Sequence, residues 1–456
     1  MSSILKAISL RSLRDLLCSL AVVSSSFVGG SLYAIDWAQF RGGAALGVSE
    51  STQLPNLAAG KGEVVWRREL PGAGWAQPVV VGGKIFMTSA INPEGGKPKG
   101  MTAGVMDLST MGRGSAPKTE LEWKLFCLDE ATGEVLWESS LAKTKPPYAK
   151  HASNTYATET PAASTTAVYN YLGSIGVLVA TDHSGKELWR KDYGAQVIGN
   201  QFGTGSSPLL VGDSLIIQQY NDEYARLICL NAADGSERWK ADRNKGSAWS
   251  TPIAWRNGDK MEVIGAGQGS VIGYDLETGE ERWKLGGLDT SFSCSVVADA
   301  EGLYFGTSSP GSRAPIFSIR AGCKGDLTLP KGQTSSDSIA WSKTKSGAGM
   351  PSPVVVGNLL YFLGNTAVCY DKRTGEEYFR KRVPGGTLVA GCPVVVGEQI
   401  YFVNENGKLI SAKVGKEFEI LSELQVGSAD EVYWSTPAVT ANSLLIRSSD
   451  AVYCVR

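Results

Sequence analysis

Histidine is scarce in this chain, and its scarcity narrows the chemistry that the chain can perform. Only His151 and His183 occur in 456 residues, so a metal centre built on several imidazoles is excluded. The sequence also contains no pair of adjacent cysteines, no C-x-x-C-H haem site, no G-x-S-x-G elbow and no Walker A loop. The common motifs for haem attachment, serine hydrolysis and nucleotide binding are therefore missing.

Net charge and helical periodicity are also lacking. The formal charge is −1, far from the basic field that nucleic acid or an anionic membrane surface requires. Beyond residue 34, no segment has a useful helical stripe of apolar residues, and none is long and apolar enough to span a bilayer. The sequence therefore predicts an all-β protein without nucleic-acid partners and without a transmembrane span.

Residues 1–34 have the pattern of a signal peptide. Lys6, Arg11 and Arg14 form a positive start, an apolar stretch of small residues follows, and Ala34 suits the last position before cleavage. An uncleaved anchor is the alternative. We expect export to the periplasm or the medium, with residues 35–456 as the folded protein.

Cysteine is present in an odd number after residue 34, which argues against a complete disulfide framework. Several of these cysteines stand at the same place in successive repeats, inside apolar strands, where cysteine behaves as a small hydrophobic residue. We expect mostly free, buried thiols among Cys127, Cys229, Cys294, Cys323, Cys369, Cys392 and Cys454.

One phrase recurs along the chain. CLDEATGEVLW at 127–137 returns as CLNAADGSERW at 229–239, GYDLETGEERW at 273–283 and CYDKRTGEEYF at 369–379, with a shorter ATDHSGKELW at 180–189. The phrase predicts a strand, a tight turn that needs a positive φ at glycine, and a second strand that begins with tryptophan. We assign a structural role, docking of one sheet on the next, to Trp66, Trp137, Trp189, Trp239, Trp283, Gly133, Gly235, Gly279 and Gly375.

A second phrase combines proline with two short apolar runs. It begins, for example, at Gln77, Ser207 and Ser352, and eight copies occur at a spacing of roughly 40–47 residues, which is typical of propeller blades. The last copy ends before its tryptophan strand, whereas an unused strand, EVVWRREL, lies at 63–70. These patterns predict an eight-bladed β-propeller whose ring is closed by an N-terminal strand.

The repeat resembles the tryptophan-docking repeat of pyrroloquinoline-quinone (PQQ) type propellers, a family that includes quinoprotein dehydrogenases and BamB. DWAQFRGGAALGVSE at 36–50, HASNTYATETP at 151–161 and FGTGSSP at 202–208 resemble exported PQQ-like repeat proteins of the planctomycete type. The resemblance implies the fold for essentially the whole chain after residue 34. It implies little about activity, because one propeller serves many functions.

Within this family, quinoprotein oxidation requires PQQ, a Ca²⁺ or similar ion and an aspartate base, with adjacent cysteines in the alcohol-dehydrogenase branch. Since the cysteine pair is missing, we expect no cofactor and a non-catalytic, BamB-like binding or scaffold protein. It would be a monomer that engages exported or envelope proteins or a small ligand. Two alternatives remain: a PQQ-dependent oxidoreductase with an atypical site around Glu159, Asn154 and Trp249, and a glycan-binding propeller in which Trp75 and Trp249 stack on sugars.

The segments that precede the proline phrase approach the axis of such propellers, so a binding site is expected at one mouth. Glu159 is unusual because the other copies have small residues or proline at its position. It is interpreted either as a ligand-binding carboxylate or as a structural group that pairs with Lys150 or accepts backbone N–H bonds. The predicted ligand-binding residues are His151, Asn154, Tyr156, Glu159, Asn200, Gln201, Trp75, Trp249 and Trp434.

Two insertions interrupt the repeat. Residues 91–120 separate two strands of the first blade, and a loop of this length is usually functional or disordered. Met101, Met106 and Met111 give this loop an adaptable apolar surface that could lie over one mouth. The second insertion, 309–338, is expected to form an ordered ribbon at the side of the propeller.

Overall fold

The computed structural model describes residues 36–49, 54–101, 113–288, 291–307, 314–344 and 349–456. These residues form eight sheets, and in each sheet four strands pair antiparallel. Helical structure in the same residues is limited to Pro55–Ala58 and the 3₁₀ turn Gly199–Gln201. The predicted all-β, eight-bladed propeller is confirmed, whereas the signal peptide predicted at 1–34 lies outside the described residues.

The first four blades each run outward from a short inner strand. Their strands, from inner to outer, are Val79–Val81, Lys84–Ile91, Leu121–Asp129 and Val135–Thr144 in blade one; Ala162–Ala163, Ala167–Leu172, Val177–Asp182 and Glu187–Asp192 in blade two; Leu209–Val211, Ser214–Tyr220, Ala225–Asn231 and Glu237–Arg243 in blade three; and Ile253–Asn257, Lys260–Gly267, Gly269–Asp275 and Glu281–Leu288 in blade four.

The remaining blades follow the same plan. Their strands are Val297–Ala298, Gly302–Gly306, Ile316–Arg320 and Ile339–Lys343 in blade five; Val354–Val356, Leu359–Leu363, Thr366–Asp371 and Glu377–Arg382 in blade six; Val394–Val396, Gln399–Val403, Lys408–Lys413 and Ile420–Gln425 in blade seven; and Ala438–Val439, Leu444–Arg447, Ala451–Val455 and Val64–Glu69 in blade eight. Two short parallel strands are added: Gly325–Asp326 outside blade four and Val48–Ser49 beside the inner strand of blade seven.

Blade eight is completed by the N-terminal strand, as predicted. Val64–Glu69 pairs antiparallel with Ala451–Val455, and Trp66 stands opposite Cys454. Without this strand, blade eight would have only three strands, and the edge of Ala451–Val455 would be exposed to solvent. The pairing closes the ring with residues from both ends of the folded chain.

Burial along the strands follows their position in the blade. Second strands such as Ser214–Tyr220 are buried at every residue, because blades pack on both of their faces. Outer strands such as Val64–Glu69 and Glu187–Asp192 alternate between half-buried and exposed residues, as expected where one face meets solvent. The seven cysteines from Cys127 to Cys454 are all buried, and no disulfide joins any two of these seven.

Tryptophans join neighbouring blades through hydrogen bonds and ring packing. In four tryptophans the indole N–H donates to a carbonyl in the turn of the next blade: Trp137 to His183 at 3.1 Å, Trp189 to Ala232 at 3.0 Å, Trp239 to Leu276 at 2.9 Å and Trp341 to Lys372 at 3.0 Å. A ring that fills the space between blades and also satisfies its own N–H stabilises the contact in two ways.

Glycine is required where these rings lie. Gly235 has a φ of +69°, and a Cβ on it would come within 2.7 Å of the Trp189 ring. The same holds for Gly133 against Trp66, where the distance is 2.5 Å, and for Gly279 against Trp239, where it is 2.6 Å. Both the backbone conformation and the close approach of the ring therefore exclude larger residues.

Trp283 departs from this pattern. Its indole N–H donates to Glu262 of its own blade at 2.7 Å. Blade five lacks the glycine turn that would receive it, because residues 321–338 take the place of that turn. Within this segment Gly325 pairs with Trp283. The link to blade five is made instead by Trp255, whose N–H donates to the Asp299 carbonyl at 2.8 Å.

No helix in the described part of the chain is long and apolar enough to cross a membrane.

The docking contact predicts a difference between two glycine substitutions. Gly235→Ala and Gly258→Ala both place a side chain at positive φ, +69° and +66°, but only Gly235 faces a ring. Gly258→Ala should lower the free energy of unfolding by about 1–2 kcal/mol, and Gly235→Ala by a further 1–3 kcal/mol. Urea unfolding of the two variants measures the difference, and equal losses would contradict the docking role.

Candidate functional site

A cavity of about 1020 Å³ lies at the propeller axis. Every blade contributes wall residues from the segment that precedes its inner strand, and residues from elsewhere, such as Phe40, Asp222 and Arg380, complete the wall. A cavity of this size can enclose a small organic molecule. The segments from which a site was predicted thus line this cavity.

The floor of the cavity is a ring of side chains contributed by equivalent positions. We call it the axial ring: Gln77, Thr160, Ser207, Thr251, Ser295, Ser352, Cys392 and Thr436. In seven of the eight members, all but Thr436, the backbone N–H donates to the side chain of the next blade's member: Gln77 to Thr160 at 2.9 Å, Thr160 to Ser207 at 3.0 Å, Ser207 to Thr251 at 3.0 Å, Thr251 to Ser295 at 2.8 Å, Ser295 to Ser352 at 2.9 Å, Ser352 to Cys392 at 3.2 Å and Cys392 to Thr436 at 2.9 Å.

Gln77 completes the ring in a different way. Its side-chain amide N–H donates to the carbonyl of Pro437 in blade eight at 2.5 Å, and its carbonyl oxygen accepts the backbone N–H of Arg41 at 2.7 Å. The amide thus connects the first and last blades to each other and to the N-terminal segment.

Residues 36–49, which we call the plug, lie on the inner strands beyond the axial ring. Trp37 pairs with Val80 of blade one, and the Gln39 side chain accepts the N–H of Leu210 in blade three at 2.8 Å. On the opposite side, Val48–Ser49 pairs with blade seven. Phe40, also in the plug, lines the cavity. The plug therefore bridges distant blades across the axis.

Aromatic rings form much of the cavity wall. Trp75 and Trp434 stack with ring centroids 6.0 Å apart, and Phe202 meets Trp249 edge-on at 5.8 Å. The indole N–H groups are already bonded, to the carbonyls of Ser153 and Gly203 and to the carboxylate of Glu405, each at 2.7 Å. These bonds hold the rings in place, so the aromatic surface is preorganised.

Backbone strain is concentrated around the cavity. Among the described residues other than glycine, positive φ occurs at Arg41 and Ala45 in the plug and at Tyr156, Asn200 and Gln201 beside the cavity. Each such residue costs on the order of 1–3 kcal/mol, and residues of this kind cluster at functional sites. Three of the five were predicted as ligand-binding residues from the sequence.

The structure brings six of the nine predicted residues to the cavity: Trp75, His151, Asn154, Asn200, Trp249 and Trp434. Tyr156, Glu159 and Gln201 do not line it. The Tyr156 hydroxyl donates to the Tyr148 carbonyl at 2.9 Å, and the Gln201 side chain accepts the N–H of Gly114 at 3.3 Å. These three positions support the wall from behind or from the rim.

Glu159 is buried behind the ring because its neighbour Thr160 faces the axis, and successive side chains in extended backbone point to opposite sides. Burial raises the pKa of Glu159 to about 7, although hydrogen bonds from the Thr204 hydroxyl and from the backbone N–H groups of Glu159 and Thr158 favour the charged form. The expected ion pair with Lys150 is not among the pairs formed by the described residues. One carboxylate oxygen, Oε1, has no hydrogen-bond partner in the same set.

The axial ring, the plug and several polar wall residues were not predicted. Phe40 of the plug and the polar residues Asp222 and Gln268 all line the cavity. A signal for the ring was available, because the residue before the inner strand is Ser, Thr, Cys or Gln in every copy of the proline phrase. Blade five shows why the pattern was hard to read: its member is Ser295, one residue after the position at which the sequence phrase was aligned.

The first insertion reaches the cavity at both of its described ends. Met101 lines the cavity, and its N–H donates to Glu405 of blade seven at 2.6 Å. On the returning side, the Arg113 guanidinium donates to Asn200 of blade three at 2.5 Å. Met106 and Met111, the other predicted apolar residues of this loop, lie outside the described residues.

The residues around the cavity do not fit the cation that accompanies PQQ in quinoproteins. Ca²⁺ takes six to eight oxygen ligands, with carboxylates among them. Among the described residues of the cavity wall, Asp222 is the one carboxylate, and Ser247 already donates to it at 2.6 Å. Within the described ranges, no three His, Cys, Asp or Glu side chains are grouped so that they could hold a metal ion.

Comparison with known proteins identifies the class to which this propeller belongs. The family model described as "Outer membrane protein assembly factor BamB" matches residues 123–309 and 326–452, more than half of the chain. The chain therefore belongs to this BamB-like family of PQQ-type propellers, as the repeats predicted. A search of the curated proteins finds no match.

Solved structures share the fold at low sequence identity. The quinohemoprotein alcohol dehydrogenase from Comamonas testosteroni is 12% identical, with a TM-score of 0.65 over 92% of this chain and 80% of that one. A europium-containing methanol dehydrogenase is 11% identical, with a TM-score of 0.62 over 92% of this chain and 98% of that one. BamB from Moraxella catarrhalis is 14% identical, with a TM-score of 0.53 over 86% of this chain and 97% of that one. The similar structures thus include both enzymes and BamB, and the likeness shows the fold alone.

The axial ring predicts that its hydroxyls stabilise the propeller. Thr251→Val keeps the shape of the side chain but leaves the buried N–H of Ser207 without an acceptor, which should cost about 1–3 kcal/mol of unfolding free energy. Thr251→Ser keeps the hydroxyl and is expected to retain most of the stability. If chemical unfolding gives the same value for both variants, the bond contributes nothing.

Glu159 predicts a pH dependence of stability. Because its folded-state pKa of about 7 is above the unfolded value near 4.5, the folded state binds the proton more tightly. The stability contribution is therefore present below pH 4.5 and is lost as the pH rises to 7, by up to about 3 kcal/mol. Glu159→Gln should flatten this part of the curve. Parallel pH profiles of unfolding for the wild type and the variant would refute the assignment.

Proposed function

We propose that this protein is an exported binding protein that holds a small, hydroxyl-rich molecule, of the sugar type, in the axial cavity. The observation that carries the proposal is the composition of the wall: three fixed tryptophans, Trp75, Trp249 and Trp434, face a cavity whose polar surface consists mostly of hydroxyls. Aromatic faces bind the apolar faces of a sugar ring, and hydroxyls exchange hydrogen bonds with its edges.

The charged groups of the wall favour a ligand whose body is uncharged. Asp222 accepts the Ser247 hydroxyl, and Arg380 is engaged by Glu377 and by the Tyr370 hydroxyl at 2.7 Å. Both charges therefore have partners within the protein. A multiply charged ligand would have to break these contacts, whereas a sugar could add to them.

Exposed aliphatic side chains support a second candidate function, the scaffold role implied by the BamB resemblance. Val65, Leu136 and Leu188 occupy the position before tryptophan on the outer strands of blades eight, one and two, with exposed fractions of 43%, 50% and 50%. Outer strands also leave backbone groups unpaired, which suits the addition of an extended peptide. This surface is separate from the cavity, so the two functions can be tested independently.

Ligand titration tests the proposed function. Neutral cell-envelope saccharides, beginning with N-acetylglucosamine and its β-1,4-linked dimer, should shift the tryptophan emission of the purified protein. Trp249→Ala should weaken this binding at least tenfold, because it removes one aromatic wall. Trp137→Phe, which alters only an outer-strand docking residue, serves as the matched control and should bind normally.

The same titration with PQQ, with and without Ca²⁺, distinguishes the enzyme alternative from the proposed binding of a sugar-type ligand. Tight, Ca²⁺-dependent binding that raises the melting temperature would replace the proposal with a quinoprotein function. Saccharides that leave the emission and the melting temperature unchanged at millimolar concentration would refute the sugar-type ligand.

A further inference from the structure

Arg41 is a buried cation with incomplete bonding. Its residue is 1% exposed, and its Nη2 donates to the carbonyls of Leu46 and Pro353. Nε and Nη1 have no hydrogen-bond partner in the described part of the chain. No carboxylate among the described residues forms an ion pair with the Arg41 guanidinium.

A buried guanidinium in this state requires a counter-group. Transfer of an ion out of water is costly unless it is paired and its donors are bonded. Burial accordingly lowers the pKa of Arg41 from its usual range. Two carbonyl acceptors on Nη2 supply partial charge only, so the donors on Nε and Nη1 indicate an acceptor from outside the described chain.

The axial ring supplies further donors next to Arg41. Each ring hydroxyl accepts a backbone N–H from the preceding blade, so its own proton remains for a different acceptor. For Thr160, Ser207, Thr251, Ser295, Ser352 and Thr436, the described residues provide no such acceptor. All six residues line the cavity, whereas Arg41, in the plug beyond the axial ring, is not part of the described wall.

Contacts place the Arg41 side chain at the ring. Its backbone N–H bonds Gln77, a ring member, and its Nη2 bonds the carbonyl of Pro353, the residue after ring member Ser352. Gly47 borders the guanidinium: at φ +73°, a Cβ on Gly47 would lie 2.9 Å from Nη2 and 3.2 Å from Nε. A side chain at position 47 would therefore press directly against the guanidinium.

We propose that Arg41 and the hydroxyls of the axial ring form an oxyanion site at the cavity floor, which receives the carboxylate of the molecule held in the cavity. A carboxylate matches the single positive charge, whereas a dianion would leave one buried charge uncompensated. The hydroxyls are neutral donors that can bond the second oxygen. The anion site is inferred from Arg41 and the ring alone. That its occupant is the carboxylate of a sugar acid rests on the proposed function.

The test compares small anions at constant ionic strength and pH. Melting temperature is followed as glucuronate, glucose, acetate or inorganic phosphate is added to the wild type and to Arg41→Gln. Glucuronate and glucose differ at one carbon, carboxylate against hydroxymethyl. We expect a saturable rise with glucuronate, an affinity at least tenfold higher than for glucose, and loss of this preference in Arg41→Gln.

Each other outcome overturns a defined part of the proposal. Equal effects of acetate and glucuronate would show a site for free anions and remove the link to the cavity ligand, and stronger binding of phosphate would exclude the carboxylate assignment. Anion effects that are absent, or that are unchanged in Arg41→Gln, would overturn the site itself. If neutral saccharides still shift the emission in that case, only this inference fails; if anions bind through Arg41 but saccharides do not, only the proposed function fails.

A measurement on the wild type covers the case in which Arg41→Gln does not fold. Crystals soaked in bromide should give an anomalous peak between the axial ring and the Nε and Nη1 atoms of Arg41. A map with no bromide peak at that position would overturn the anion site.

Discussion

The axial ring is the interaction on which the rest of this propeller depends. Seven backbone N–H groups each donate to a hydroxyl or thiol of the next blade, and Gln77 joins the last blade to the first. Because the residue that carries each acceptor precedes the inner strand, the ring fixes the start of every blade at the same distance along the axis. The same atoms then form the floor of the cavity, so the position of the site follows from the way in which the blades are joined.

A second set of contacts holds the blades together farther from the axis. There a tryptophan ring rests on a glycine turn of the following blade. The inner and outer contacts have the same direction, each donor belonging to the blade that comes first in the chain. Where the glycine turn is missing, between blades four and five, Trp255 provides the bond from another strand. The geometry of the interface is thus preserved although the residue that makes it has changed.

The repeats allowed the fold to be predicted in detail, including the strand that closes the ring, because glycine turns and apolar strands are specified by neighbouring residues. Six of the cavity residues, such as Trp249 and Asn154, were also predicted, since they precede the inner strands in the repeat. For Glu159 the sequence left a ligand-binding and a structural role open, because its burial depends on which face Thr160 presents to the axis. The partners of Arg41 could not be predicted: they come from blades that are distant in sequence, and no local pattern records such contacts.

Closure by the N-terminal strand has a consequence for the order in which the molecule can form. Arg67 bonds Tyr453 across 386 residues, and the plug contacts blades one, three and seven. Val64–Glu69 must therefore wait for Ala451–Val455 to be synthesised before blade eight can be completed. Long-range contacts of this kind slow folding and leave sheet edges exposed meanwhile. During that interval the incomplete ring would depend on its surroundings to avoid pairing with other chains.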